Sequence, residues 1–165
     1  MNFNCLTTVQ RNSSTAFKFY DMYIPRYFTL SELTHSDTAI RLNIVNQPDF
    51  EHVYNLSRLC ELVLDPIRAQ IGIAIRVTSG FRSDELNRAI GGVSNSQHKK
   101  GLAADIVCND MCALSTALAN NAYIDQCIKE TGASGFSWYH VSIPECGKTP
   151  RQQYFAVKNR NRKNE

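Results

Sequence analysis

Apolar residues recur at three- and four-residue steps along one long stretch of the chain. Val53, Leu56, Leu59 or Cys60, Val63 and Ile67 fall on a single helical face. Pro48 opens this stretch. Pro66 inside it predicts a kink or a fresh turn, because proline brings no N–H to a helix interior. Upstream, Thr29 or Ser31 can cap a short helix near 31–43 that carries Leu33. Downstream the period changes. Ile73–Gly80 (IAIRVTSG) is rich in β-branched residues and ends in a turn signal, so it reads as a strand. Asp84–Ile90 predicts a short helix capped by Ser83, and Gly101–Cys108 (GLAADIVC) a strand. Residues 110–120 and 122–130 predict two more helices. Phe136–Ile143 and Gln152–Lys158 predict two strands joined by a turn at Pro144–Pro150. Helices first and strands later imply an α+β class, with helices packed on a small, mainly antiparallel sheet.

With 165 residues the chain has room for one domain with a real core. The polar, aperiodic residues 1–24 are expected to be loosely ordered, residues 25–158 to form the domain, and 159–165 a basic, disordered tail. The apolar fraction of 43% and charged fraction of 20% are ordinary for a globular protein. No apolar run approaches the roughly 18 residues a membrane span needs, so no membrane insertion is expected. The first residues lack a basic segment followed by an apolar one, so no secretory signal is read there, and the product is expected in the cytoplasm as synthesised. Six cysteines in such a chain are expected to be reduced thiols, with Cys60 in the core. Cys108 and Cys112 lack the second pair that a zinc knuckle requires. Net charge is +3, with Lys158, Arg160, Arg162 and Lys163 gathered at the end. That cluster reads as a solvated tail, and a nucleic-acid partner is not expected.

The stretch SNSQHKKGLAADIV, residues 94–107, holds an anomaly. Asp105 sits inside an apolar strand, and a buried carboxylate is unfavourable unless paired. His98 lies in the turn before it. A second strand, WYHVS, places Trp138, His140 and Ser142 on one face. If the two strands are neighbours, Asp105 and His140 converge and His98 can close over them. Two imidazoles and a carboxylate are a ligand set for catalytic zinc, with a fourth position left open. A lone strand histidine is more often a satisfied core residue, and a lone aspartate a turn or edge residue. On spacing alone the two readings stand level.

Three segments taken in order, SGFRS, SQHKKGLAADI and WYHVSI, resemble the zinc D-Ala-D-Ala carboxypeptidases and related peptidoglycan peptidases. The pattern S-x-H-x-x-G-x-A-x-D is matched at every fixed position from Ser96 to Asp105, and W-x-H at Trp138 to His140. The resemblance spans about residues 27–145 and is nearest to small single-domain phage or prophage versions, which open on a segment like YFTLSEL (residues 27–33 here). It implies the hedgehog/D-Ala-D-Ala peptidase fold and one zinc ion on His98, Asp105 and His140. It implies that Arg82 holds a substrate carboxylate or carbonyl and stabilises the oxyanion, and that Ser96 binds substrate backbone. The implied substrate is a peptide bond of bacterial peptidoglycan, in the stem or cross-bridge, cut by a D-Ala-D-Ala carboxypeptidase or an endolysin-like endopeptidase. Such a protein would act on the cell wall after release or as a virion component, and as a monomer.

One departure bears on catalysis. Many relatives carry an acidic residue three positions before the last histidine as general base and acid; here that position is Ser137. Some group must accept a proton from the attacking water and deliver one to the leaving amine. Glu130, in IDQCIKE, which resembles a family segment DQLI-x-E, is the first substitute. Asp125 and Glu145 are weaker ones. If no acid serves, the alternative is a zinc-containing binding module of the hedgehog type with little or no turnover.

Overall fold

The computed structural model describes residues 22–158, so residues 1–21 and the predicted basic tail lie outside the described residues. The region predicted as one helix near 31–43 forms two, α1 (Leu30–Thr34) and α2 (Asp37–Leu42). Both starts are capped. Thr29 and Glu32 form a reciprocal capping box, and Ser36 accepts from the Ala39 N–H. Ser36 therefore begins a second helix where the periodicity suggested continuity.

The long apolar stripe forms α3 (Phe50–Leu59), a π-helical turn (Cys60–Leu64) and α4 (Asp65–Ile71) in unbroken succession. Leu56, Leu59, Cys60, Val63 and Ile67 are all buried, as the spacing predicts. Pro66 falls in the first turn of α4, directly after the π-helical turn, which is the fresh turn the sequence predicts. Its missing N–H would leave the Leu62 carbonyl without a partner, and the Asn121 side chain donates to that carbonyl at 3.0 Å. Asp65 is buried and fastens the start of the described chain to α4. Its carboxylate accepts from the Tyr23 hydroxyl at 2.6 Å and from the Arg26 and Tyr27 N–H groups at 2.6 and 3.3 Å.

The sheet contains β1 (Ile75–Ser79), β2 (Ala103–Cys108), β3 (Gln126–Thr131), β4 (Ser137–Ser142) and β5 (Gln153–Lys158), in the order β1-β2-β4-β3-β5. All neighbours are antiparallel except β3 and β5, which run parallel. Between the strands lie α5 (Asp84–Ala89), a 3₁₀ turn (Gln97–Lys100) and α6 (Met111–Ala119). Ser83 caps α5 as predicted. β2 and most of β4 are buried, and one core joins α3, α4 and α6 to the inner sheet face through Leu59, Ile67, Ile106, Leu114 and Val141. This is the expected α+β architecture, helices on a small, mostly antiparallel sheet. No helix among the described residues is long and apolar enough to cross a membrane.

Two expectations are corrected. Residues 122–130 do not form a helix: Gln126–Thr131 is β3, paired along its whole length with β4. The helical period there is only a turn long, and β4 offers a full ladder of hydrogen bonds that a helix would leave unmade. The last two predicted strands form as β4 and β5. The connection after Ile143 carries β5 past β4 to the far edge of β3. Cys60, Cys108, Cys112 and Cys127 are free thiols as expected, whereas Cys146 is disulfide-bonded.

Candidate metal centre

β2 lies between β1 and β4, so Asp105 has a partner on each side: Ser79 on β1 and His140 on β4. Residues paired across a ladder share a face, which brings Asp105 and His140 together. The 3₁₀ turn ahead of β2 supplies His98. Gly101 closes that turn at φ 68°, where a Cβ would come within 2.6 Å of the His52 carbonyl oxygen, so conformation and space both require glycine. Gly80 packs as tightly, since a Cβ there would sit 2.0 Å from the Leu33 carbonyl oxygen. This places the Gly80 carbonyl 2.7 Å from His98 Nδ1.

That contact sets the chemistry of His98. A carbonyl oxygen can only accept, so Nδ1 carries the proton and donates, and Nε2 presents its lone pair. His98 Nε2, Asp105 Oδ1 and His140 Nδ1 form a near-equilateral triangle with sides of 3.1, 3.1 and 3.0 Å. All three residues are buried. A proton on His140 Nδ1 cannot relieve the approach of His98 Nε2 to Asp105 Oδ1, which sets acceptor against acceptor. A cation among the three does. Donors about 2.0–2.1 Å from a tetrahedral zinc lie roughly 3.3 Å apart, close to the sides observed. The donor set, its spacing and the tautomer fixed by Gly80 all fit zinc.

The electrostatics agree. Burial drives the His98 pKa below its ordinary value, and the opposing pull of Asp105 does not restore it, so the ring is neutral and able to ligate. Burial alone would raise the Asp105 carboxyl. The His140 N–H and the Arg82 guanidinium oppose this, and the group lies well below the usual carboxylate range. Arg82 Nη2 donates to Asp105 Oδ2 at 2.5 Å, and Arg82 Nε donates to Ser79 Oγ at 2.8 Å. Among the described residues nothing hydrogen-bonds to Arg82 Nη1.

The triad lies in a cleft of about 850 Å³ whose lining includes Arg82, Ser96, Glu130 and Trp138. Glu130 stands on strand β3, not at a helix end. The pairs Ile128–His140 and Glu130–Trp138 put it on the sheet face that carries His140, one residue pair along. Ser96 is buried at the start of the 3₁₀ turn, and its side chain caps no helix N–H. The hydroxyl of Ser137 lies 2.8 Å from that of Thr131. The other two acidic candidates are engaged elsewhere. Asp125 is held by Arg151 and Gln97, and hydrogen bonding to Arg151 is the chief cause of its lowered pKa. Glu145 pairs with Lys100 outside the cleft lining.

The family model for Peptidase M15 matches residues 26–142, well over half of the chain and all three triad residues. The chain belongs to the peptidase M15 family. No curated protein matches it. In this M15 metallopeptidase the triad is a cluster whose geometry fits a zinc ion. Sequence reasoning brought forward its three ligands and Arg82. It missed Gln97 and Arg151 as cleft residues and the hub that Asp125 makes of them. Arg151 is remote from every motif, and only the path of the chain into β5 delivers it.

Proposed function

We propose that this M15 peptidase hydrolyses a peptide bond of bacterial peptidoglycan, in the stem peptide or cross-bridge, as a D-Ala-D-Ala carboxypeptidase or an endolysin-like endopeptidase. It meets its substrate in the cell wall after release or as part of a virion. The observation that carries the reading is the convergence of three metal-ligating lone pairs at the floor of an open cleft.

His98, Asp105 and His140 would hold a zinc ion. When bound, the ion polarises a carbonyl and lowers the pKa of a water toward about 7. The chain's own groups do the rest. Gly80 keeps His98 in its ligating tautomer, and Arg82 keeps Asp105 ionised. Arg82 Nη1 donates to the oxygen on which negative charge develops. The Ser96 hydroxyl holds substrate backbone. Glu130 accepts a proton from the attacking water and returns it to the departing amine. Its place on the cleft face of β3 supports this role.

The test is release of new amines from purified sacculi by zinc-loaded protein. Glu130→Gln should lower the rate by about 10²–10⁴-fold with zinc still bound. A serine at 137, already within reach of Thr131, favours a second reading, a module that binds the wall without cutting it. Binding to sacculi with no amine release and no effect of Glu130→Gln would replace the first reading with the second.

A further inference from the structure

The cleft contains a second guanidinium mounted like the first. Arg82 is held along its Nε–Nη2 edge by Ser79 and the buried Asp105. Arg151 is held along the same edge by the buried Asp125: Nε lies 3.0 and 3.1 Å from Oδ1 and Oδ2, and Nη2 2.5 Å from Oδ2. In both arginines Nη1 makes no hydrogen bond among the described residues. Both side chains line the cleft, and that of Arg151 is 51% exposed.

Asp125 faces inward with its acceptor capacity filled. Besides those contacts it accepts from the Arg151 N–H at 3.0 Å and from Gln97 Nε2 at 3.0 Å. What this corner turns toward the cleft is therefore donor character. Arg151, Asn95 and Gln97 also border an adjoining hollow of about 390 Å³, where Lys100 and Lys148 join Arg151 and Glu145 is paired with Lys100. The position follows from register. Asp125 precedes β3 and continues its ladder by donating to the Ser142 carbonyl. Arg151 itself stands two residues before Gln153, the β5 partner of Gln126, and Gln126 lies two residues from Ile128, which forms a row with His140. Glu130 lies on the other side of that row. Along β3 the cleft therefore runs from a fixed cation, past the metal triad, to a carboxylate.

We propose that Arg151 is a specificity-determining residue, forming a subsite for a carboxylate carried by the substrate one or two residues from the scissile bond. A guanidinium already oriented by a buried carboxylate loses little freedom on meeting a second one and offers it directed, charge-assisted hydrogen bonds. This deepens the peptidoglycan-peptide reading and rests on it.

The experiment uses two synthetic stem pentapeptides, identical except that the carboxylates lying between the termini are free in one and amidated in the other. Calorimetry with the zinc-loaded protein measures binding, and amine release measures cleavage separately. The wild type should bind the free-carboxylate peptide about tenfold or more tightly. Arg151→Gln should bring the two affinities close together, and Arg151→Lys, which keeps the charge without the planar fork, should lie between. Equal wild-type affinities for the two peptides would overturn the subsite, and this arm needs no variant to fold. Discrimination in binding without any cleavage would leave the subsite standing and remove the hydrolase reading alone.

Discussion

Replacing Asp105 with asparagine separates the fold of the site from its hold on metal. The carboxylate accepts from Arg82 through one oxygen and lies 3.1 Å from both imidazoles through the other. Without metal, an asparagine still offers an oxygen to Arg82 and adds an amide N–H that can donate to the His98 Nε2 lone pair. The apo fold exchanges a charge-assisted bond for a neutral one, a loss of about 1–2 kcal/mol. For a chain of this length that is a fall in Tm of roughly 2–8 °C. Zinc tells the two proteins apart. At free zinc about 1,000 times its Kd, binding stabilises the wild type by about 4 kcal/mol, or roughly 8–16 °C. Removal of an outer-shell partner alone weakens metal affinity about 10–100-fold, and loss of a ligand should reach at least the upper end. At the same zinc concentration Asp105→Asn then gains less than about 1.5 kcal/mol, roughly 3–6 °C. The assay is differential scanning calorimetry of both proteins with and without zinc, with metal content measured after dialysis. An equal rise in Tm for the two would show that Asp105 is not a ligand, and the reading of the centre would fail.

Other substitutions probe the frame around the site. Gly101→Ala places a side chain at φ 68° and against the His52 carbonyl. It should destabilise by about 1–3 kcal/mol and displace His98, which thermal melts and zinc titration would both register; wild-type values in both would refute the packing argument. Arg82→Lys keeps the charge but cannot hold Ser79 and Asp105 with one planar group, so kcat/KM for amine release should fall about 100-fold at saturating zinc. Unchanged activity would remove Arg82 from the mechanism. Asp125 has a lowered native pKa, so the unfolded chain takes up its proton first, near pH 3.9. Its contribution is complete above that value and is lost as pH falls through the lower native one. Urea unfolding between pH 6 and 3 should show a steeper acid loss for the wild type than for Asp125→Asn, whereas parallel profiles would refute the linkage.

The apolar stripe from Leu56 to Ile67 needed no tertiary information, because a 3.6-residue period selects one face wherever the helix docks. The same holds for β1, β2 and β4 and for the motif running from Ser96 to Asp105. In that motif a tight turn and a strand bring a histidine and an aspartate onto one face within a few residues. Local periodicity could not distinguish helix from strand at Gln126–Thr131. That segment is short, and its backbone partners are supplied by β4, a later part of the chain. Pro66 likewise depends on Asn121, a residue 59 positions from the carbonyl it satisfies. Arg151 reaches the cleft because β5 crosses to the far edge of β3, which hydrophobic patterning leaves open. Sequence alone thus determined the apolar faces and the motif that sets His98 close to Asp105. The pairing of distant strands decided what surrounds the metal, since ladder hydrogen bonds and ion pairs between remote segments exist only after those segments have met.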